Sequence, residues 1–279
     1  MGNRYSLDYC LNNNNRFTLV GFPELGRNTV FFDKFSHCYI KFYGNTSHFT
    51  NERDALLFYS EFSLVPCLKF ESDMCIGISA LSGKTVESGK MLPSQYRNMG
   101  TVLRELHEFS IEKTKRTTSI SYFEYYKGEQ QRWKKLCLKL NNNNFSCWNS
   151  IISMTGLFLQ EFNIGSDDPL VFCHNDYCER NLLFNGNDIT GIIDFEKARY
   201  ADPVCDFATF IIKEFDSNNV SVFLDSYSFK ATNETKSRLL YFTLYKALEI
   251  LTWAECVDKA YYLMAVKFLQ HWEKLYDNL

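Results

Sequence analysis

The sequence predicts an α+β chain of two lobes. Three observations lead there. Short apolar or alternating runs, separated by turn residues, fill the first 80 or so positions. Helical spacing takes over from about residue 93. One strand–turn–strand unit then interrupts the helical part, around Asn185-Gly186. With 279 residues, 46% hydrophobic and 23% charged, the chain has the apolar content for a sizeable core.

In the first lobe, Phe17–Val20, Thr29–Phe32, Cys38–Phe42, Cys67–Phe70 and Met74–Ser79 read as strands. Gly21, Pro23, Gly26 and Gly44 punctuate them. A helix capped by Thr50 or Asn51 and reaching about Phe62 falls between the third and fourth strands. The lobe boundary is placed between residues 82 and 83, giving lobes of 1–82 and 83–279. In the second lobe, Gln95–Phe109 sets Met99, Val102, Leu103 and Leu106 on one helical face. Tyr241–Cys256 does the same with Leu244, Leu248 and Leu251. The asparagine runs Asn12–Asn15 and Asn141–Asn144 have no apolar period and read as loop tips.

A net charge of −3 gives no global basic field for nucleic acid. The charge is uneven: residues 84–139 hold 12 Lys/Arg against 6 Asp/Glu, and residues 161–212 hold 3 against 10. The basic stretch reads as solvated helical surface. Ten cysteines with no C-x-x-C pair, several inside apolar runs, indicate buried thiols in a reducing compartment. The N-terminal MGNRYSLDYC has no apolar signal core, and no apolar run approaches the ~18–20 residues that span a bilayer. A cytoplasmic protein, monomeric or weakly dimeric, without a membrane partner is the expectation.

The stretch VFCHNDYCERNLLF (171–184) raises the question of function. Apolar triplets at its ends enclose His174, Asn175, Asp176, Glu179, Arg180 and Asn181. Asn181 precedes a short strand, the Asn-Gly turn, and a second strand, Ile189–Ile193, that ends at Asp194. Pairing the two strands returns Asp194 to the neighbourhood of Asn181. A carboxylate and an amide oxygen at one hairpin end are hard ligands that suit magnesium. Asp176, just upstream, is then free to orient a substrate hydroxyl. Phosphoryl transfer requires little more: positioning, a metal on the phosphates, and a carboxylate near the attacking oxygen.

The run HNDYCERNLLFNGNDITGIIDFEKARYADPVCDFA resembles the aminoglycoside phosphotransferase and choline-kinase-like group, small-molecule kinases related in fold to protein kinases. The resemblance is tight over about 170–210 and looser elsewhere. It implies a two-lobed, protein-kinase-like fold, a magnesium cofactor, and ATP, with GTP as the alternative donor. It makes Asp176 the catalytic base and Asn181 and Asp194 the metal ligands. His174 becomes a structural residue of the catalytic loop, and Asp206, in D-P-x-x-D, a brace for that loop. Glu196 stands where protein kinases have the glycine of D-F-G.

The first lobe should then hold a lysine and a glutamate. Lys41 sits in the apolar strand Tyr39–Phe42, and Glu52 shares a helical stripe with Ala55, Leu56, Tyr59 and Phe62. Each needs a partner, and pairing them matches the kinase ion pair that holds the α- and β-phosphates. The alternative is two snorkelling surface residues. Gly21–Asn28 stands where a phosphate-covering loop belongs, and Ser79, Ala80 and Leu81 where backbone binds the nucleotide base. His107, in L-x-x-L-H, reads as a packed core histidine.

An aminoglycoside-type antibiotic is the favoured acceptor, making this a resistance kinase. The alternatives are a metabolic kinase of choline, an amino alcohol or a sugar, and an inactive kinase-like binding protein. Tyr245, Glu249 and Trp253 recur at i, i+4, i+8, a candidate seat for an ammonium group of a cationic acceptor. The alternative is a packed amphipathic helix with Glu249 paired to Lys246.

Overall fold

A computed structural model describes residues 5–20, 28–87, 89–115, 121–142, 146–161 and 169–278. It divides into two compact units, Met1–Lys90 with Glu179–Arg199, and Met91–Cys178 with Tyr200–Leu279. The division falls at Lys90 instead of 82, and the 179–199 hairpin groups with the first unit, where the sequence boundary put it in the second.

The first unit is an antiparallel five-stranded sheet in the order β1-β2-β3-β5-β4. Its strands are β1 (Phe17–Val20), β2 (Asn28–Asp33), β3 (Cys38–Tyr43), β4 (Leu68–Ser72) and β5 (Cys75–Ser79). β3 is central, and Lys41 lies in register between Val30 of β2 and Ile76 of β5. Phe17, Phe31, Cys38, Ile40 and Cys75 form a core with Cys10 of the short helix α1 (Leu7–Leu11). Helix α2 (Thr46–Phe58) follows β3. Its cap is Asn45, whose side chain accepts from the N–H groups of Ser47 and His48 at 2.8 and 3.2 Å. The helix thus begins about a turn before the Thr50/Asn51 start read from sequence, because Thr46–Asn51 has a good cap but no apolar period. Glu52, Ala55 and Leu56 are buried on its inner face.

Strands β7 (Leu182–Asn185) and β8 (Asp188–Ile192) form the hairpin. Ile192 N–H donates to the Leu64 carbonyl at 2.7 Å, and Lys84 and Phe184 exchange backbone bonds of 3.0 and 2.8 Å. Thr190 Oγ1 donates to the Ser82 carbonyl at 2.6 Å. The segment after β5 is thereby stitched to the hairpin.

The second unit is helical. It contains α3 (Pro93–Thr114), α4 (Tyr122–Asn142), α5 (Asn149–Gln160), α6 (Ala208–Glu214), α7 (Asn219–Tyr227), α8 (Asn233–Val257), α9 (Lys259–Gln270) and α10 (Glu273–Asn278). Strand β6 (Val171–Cys173) pairs with β9 (Arg199–Ala201), whose Tyr200 and Ala201 belong to this unit. Helix α8 is buried on most of its faces, with Leu239, Leu240, Tyr241, Phe242, Leu244, Ala247, Leu248, Ile250 and Leu251 inside, which marks it as the central helix of the unit. It begins eight residues earlier than the apolar spacing indicated, where Thr232 accepts from Thr235 N–H at 3.2 Å. Helices α3 and α7 approach closely at Gly100, where a Cβ would lie 2.3 Å from the Phe223 carbonyl oxygen. No described helix is long and apolar enough to cross a membrane.

Gly83 adopts φ +107°, and a Cβ there would lie 2.4 Å from Thr190 Oγ1 and 2.9 Å from the Phe184 carbonyl oxygen. Gly83→Ala is expected to destabilise the first unit by about 1–3 kcal/mol. The reading is a lower urea midpoint; an unchanged midpoint would show that the stitch does not depend on this conformation.

Candidate active site

In the first unit, chemistry gathers around one ammonium. Lys41 is 7% exposed in the middle of the sheet. Its Nζ lies 2.6 Å from Glu52 Oε2, 2.5 Å from Asp194 Oδ1 and 3.7 Å from Glu196 Oε2. Burial opposes the charge, but Glu52, Asp194 and Glu196 outweigh it and hold Lys41 above its ordinary pKa. The Tyr43 hydroxyl, two residues along the same strand face, donates to Glu52 Oε2 at 2.7 Å. Burial and the Glu52 carboxylate keep that hydroxyl protonated.

The hairpin carries Asp194 and Asn181 to one place. Ile193 N–H donates to the Asn181 carbonyl at 2.9 Å, so the two residues sit at the open end of paired strands. Asp194 has φ +68°, a left-handed conformation costly for most side chains and more accessible to aspartate. Phe195 is fully buried and its ring lies 5.8 Å from that of Tyr59, at the end of α2. This anchors the turn that presents Asp194 to Lys41. Glu196, 6% exposed, accepts from Asn28 Nδ2 and lies 3.8 Å from His48 Nδ1; its carbonyl accepts from Asn51 Nδ2 at 3.0 Å.

In the second unit, the segment after β6 is fixed by Asp206, 1% exposed. Its carboxylate accepts from the backbone N–H groups of His174, at 2.9 Å, and Asn175. His107 Nε2 lies 3.0 Å from the same carboxylate, and its Nδ1 2.8 Å from the Tyr227 hydroxyl. A carboxylate can only accept, so His107 Nε2–H donates to Asp206, and burial keeps the Tyr227 hydroxyl protonated beside Nδ1. Asn175 is left-handed at φ +60°. Asp176 N–H then donates to the His174 ring Nδ1 at 3.2 Å, and the Tyr177 hydroxyl donates to the Met99 carbonyl at 3.0 Å. Asp202 forms a second buried pair with Arg238 of α8 at 3.0 Å and accepts from Val204 N–H at 3.1 Å.

Residues 75–240, more than half of the chain, match the family model described as "Phosphotransferase enzyme family". The chain belongs to this family. Over 87 residues it is 33% identical to an aminoglycoside 3'-phosphotransferase of Niallia circulans, a stretch that spans 30% of this chain and 32% of that relative. Solved structures share the fold over nearly their whole length. The gentamicin complex of APH(2")-IIa has a TM-score of 0.61 at 16% identity, covering 97% of both chains. The GDP complex of aminoglycoside 2'-phosphotransferase-IIIa has 0.66 at 14%, covering 99% of this chain and 100% of that one. Macrolide 2'-phosphotransferase MphH from Brachybacterium faecium has 0.61 at 13%, covering 95% and 96%. The strand-rich first part and helical second part of this phosphotransferase-family chain are the kinase-like fold of those structures.

Other sequence candidates fall as follows. Ser79 ends β5, where its Oγ accepts from Cys67 N–H at 2.9 Å. Ala80 is exposed, and Leu81 packs so closely on β8 that a Cβ at Gly191 would lie 2.8 Å from its Cδ1. Gly21–Arg27 of the expected phosphate-covering loop lies outside the described residues. On α8, Glu249 Oε2 lies 3.2 Å from Lys246 Nζ. The Trp253 ring centroid is 5.7 Å from that of Tyr261, and Tyr245 is 6.5 Å from Trp133. Sequence reasoning missed Tyr43, Asn28 and Asn51 as supports of the Lys41 cluster. Tyr43 had a signal, its same-face spacing from Lys41; the two asparagines had none.

Asp206→Asn would point an amide N–H₂ at backbone or ring N–H donors in either orientation. It is expected to lower stability by about 1–3 kcal/mol, the cost of a buried unsatisfied donor, read as a lower denaturation midpoint. A midpoint equal to wild type would remove Asp206 as the brace of this loop.

Proposed function

We propose that this chain transfers the terminal phosphoryl group of a nucleoside triphosphate, ATP or alternatively GTP, to a hydroxyl of a small molecule in the cytoplasm. One observation carries the reading: a single buried ammonium, Lys41, lies 2.6 Å from Glu52 and 2.5 Å from Asp194, and Asp194 stands at the hairpin end beside Asn181. Such a cluster holds a cation ready for phosphate oxygens while its own carboxylates keep it charged.

In this reading Lys41 binds the donor's phosphates, Glu52 aims it, and Tyr43 holds Glu52. Ser79–Leu81 offers backbone to the base. Asn181 and Asp194 would hold magnesium: their donors are hard oxygens, and the Asp194 side chain is 37% exposed, leaving carboxylate surface for a ligand. Magnesium, when bound, neutralises charge on the phosphate oxygens. Asp176 orients the acceptor hydroxyl and accepts its proton as the oxygen attacks. His174 and Asp206 act through it, by fixing the loop backbone on which it sits. The names of similar proteins, aminoglycoside and macrolide phosphotransferases, support a ring hydroxyl of an antibiotic-like molecule as the acceptor.

Nucleotide consumption screened across aminoglycosides, macrolides, choline and simple sugars tests the activity. Asp176→Ala should lose ~10²-fold or more in turnover while nucleotide affinity stays near wild type. Retention of more than about a tenth of the turnover would contradict the assignment. Asp194→Asn removes one anionic oxygen ligand, so the magnesium concentration for half-maximal rate should rise strongly. An unchanged requirement would pass the metal to another acid, with Glu196 the first to examine.

A further inference from the structure

Asp202 and Arg238 are both almost fully buried, and their pairing has no place in the reading above. Stability does not account for it, since an apolar pair of similar volume often does as well as a buried ion pair. What the pair joins is more informative. Asp202 Oδ2 accepts from Arg238 Nη1 of α8 at 3.0 Å and from the Tyr122 hydroxyl, at the start of α4, at 3.2 Å. Burial and the Asp202 charge keep that hydroxyl protonated. Asp202 Oδ1 accepts from Val204 N–H at 3.1 Å and so caps the tight helical turn Pro203–Phe207.

That turn carries Asp206, whose carboxylate holds the backbone N–H groups of His174 and Asn175, and Asp176 is the next residue. From the other side, the Cys173 thiol donates to the Asp202 carbonyl at 3.4 Å. Asp202 is therefore bonded both to the start of the loop and to the turn that braces it. Arg238 fixes Asp202 to the central helix, and a planar guanidinium sets a direction that a flexible ammonium does not.

We propose that Arg238 is a positioning residue for phosphoryl transfer: through Asp202 and the turn Pro203–Phe207 it sets Asp206, and through Asp206 the backbone from which Asp176 reaches the acceptor hydroxyl. This rests on the reading in which Asp176 meets that hydroxyl. A misplacement of about 1 Å at the reacting atoms can cost ~10²-fold in rate, so a tie remote from Asp176 can act on turnover.

The test uses the full chain and three variants. Arg238→Met removes the tie, while the Tyr122 hydroxyl and Val204 N–H still serve the Asp202 carboxylate. Asp202→Asn combined with Arg238→Met removes both charges, keeps a side-chain oxygen for the cap, and serves alone if the single variant fails to fold. Arg238→Lys keeps the charge without the fork. Hydrogen exchange of the peptide 173–177, which needs no ligand, should become at least about ten-fold faster in Arg238→Met and in the double variant, with Arg238→Lys between them and wild type. ATP consumption with magnesium and kanamycin, erythromycin, choline or glucose as acceptor probe should show kcat lowered about ten-fold or more, with the KM for ATP unchanged. The double variant should regain the wild-type denaturation midpoint but not the turnover. Loop exchange equal to wild type, an unchanged kcat, or turnover that returns with the midpoint overturns the proposal. Failure of the phosphoryl-transfer reading would appear separately, as a wild type that consumes no ATP with any probe while the exchange difference persists.

Discussion

A lysine ammonium placed in the middle of a β-sheet cannot be left alone, and the first unit is organised around that constraint. Removing the charge from water costs several kcal/mol, and only carboxylates brought close can offset it. Glu52 comes from a helix capped by Asn45, and Asp194 from a left-handed residue at the end of a hairpin. Glu196 arrives by its bonds to Asn28 and Asn51. The stitching of the hairpin to Leu64, Ser82 and Lys84 keeps Asp194 in reach. A buried ion pair of this kind adds little net stability, since an apolar replacement can do as well. Its retention in an otherwise apolar strand therefore points to use.

The second unit solves a different problem with the same chemistry. A loop that presents an acid must keep its own backbone N–H groups satisfied without sheet partners. Asp206 accepts from two of them, and His107 and Tyr227 extend the chain of bonds into α3 and α7. The carboxylate is held by donors on several elements, so the loop geometry is set by the helical core instead of by local preference. Asp202 and Arg238 tie the following segment to the central helix in the same manner.

Helix α8 joins the packed core to a charged surface. Its apolar residues are wrapped by neighbouring helices, while Tyr245, Lys246, Glu249 and Trp253 remain partly exposed. Glu249 and Lys246, three apart on a helix, pair locally and reduce the net charge that the surface offers.

Much of this was legible in the sequence because it is local. Period-two strands, the Asn-Gly turn and the H-x-D-x-x-x-x-N run each state their geometry within about ten residues. The Lys41–Glu52 pairing was legible too, since two ionisable residues on apolar stripes eleven apart can be matched by need alone. The start of α2 was not, because a polar first turn has no apolar period and only the Asn45 cap declares it. Nor were the supports: Asn28 reaches Glu196 across 168 residues, and His107 reaches Asp206 across 99. Sequence alone determined the fold class, and it named the residues to which the chemistry is proposed to belong. Tertiary structure decided which carboxylates share which cation, because pairing a buried charge depends on distances of a few ångströms between segments that spacing along the chain does not encode.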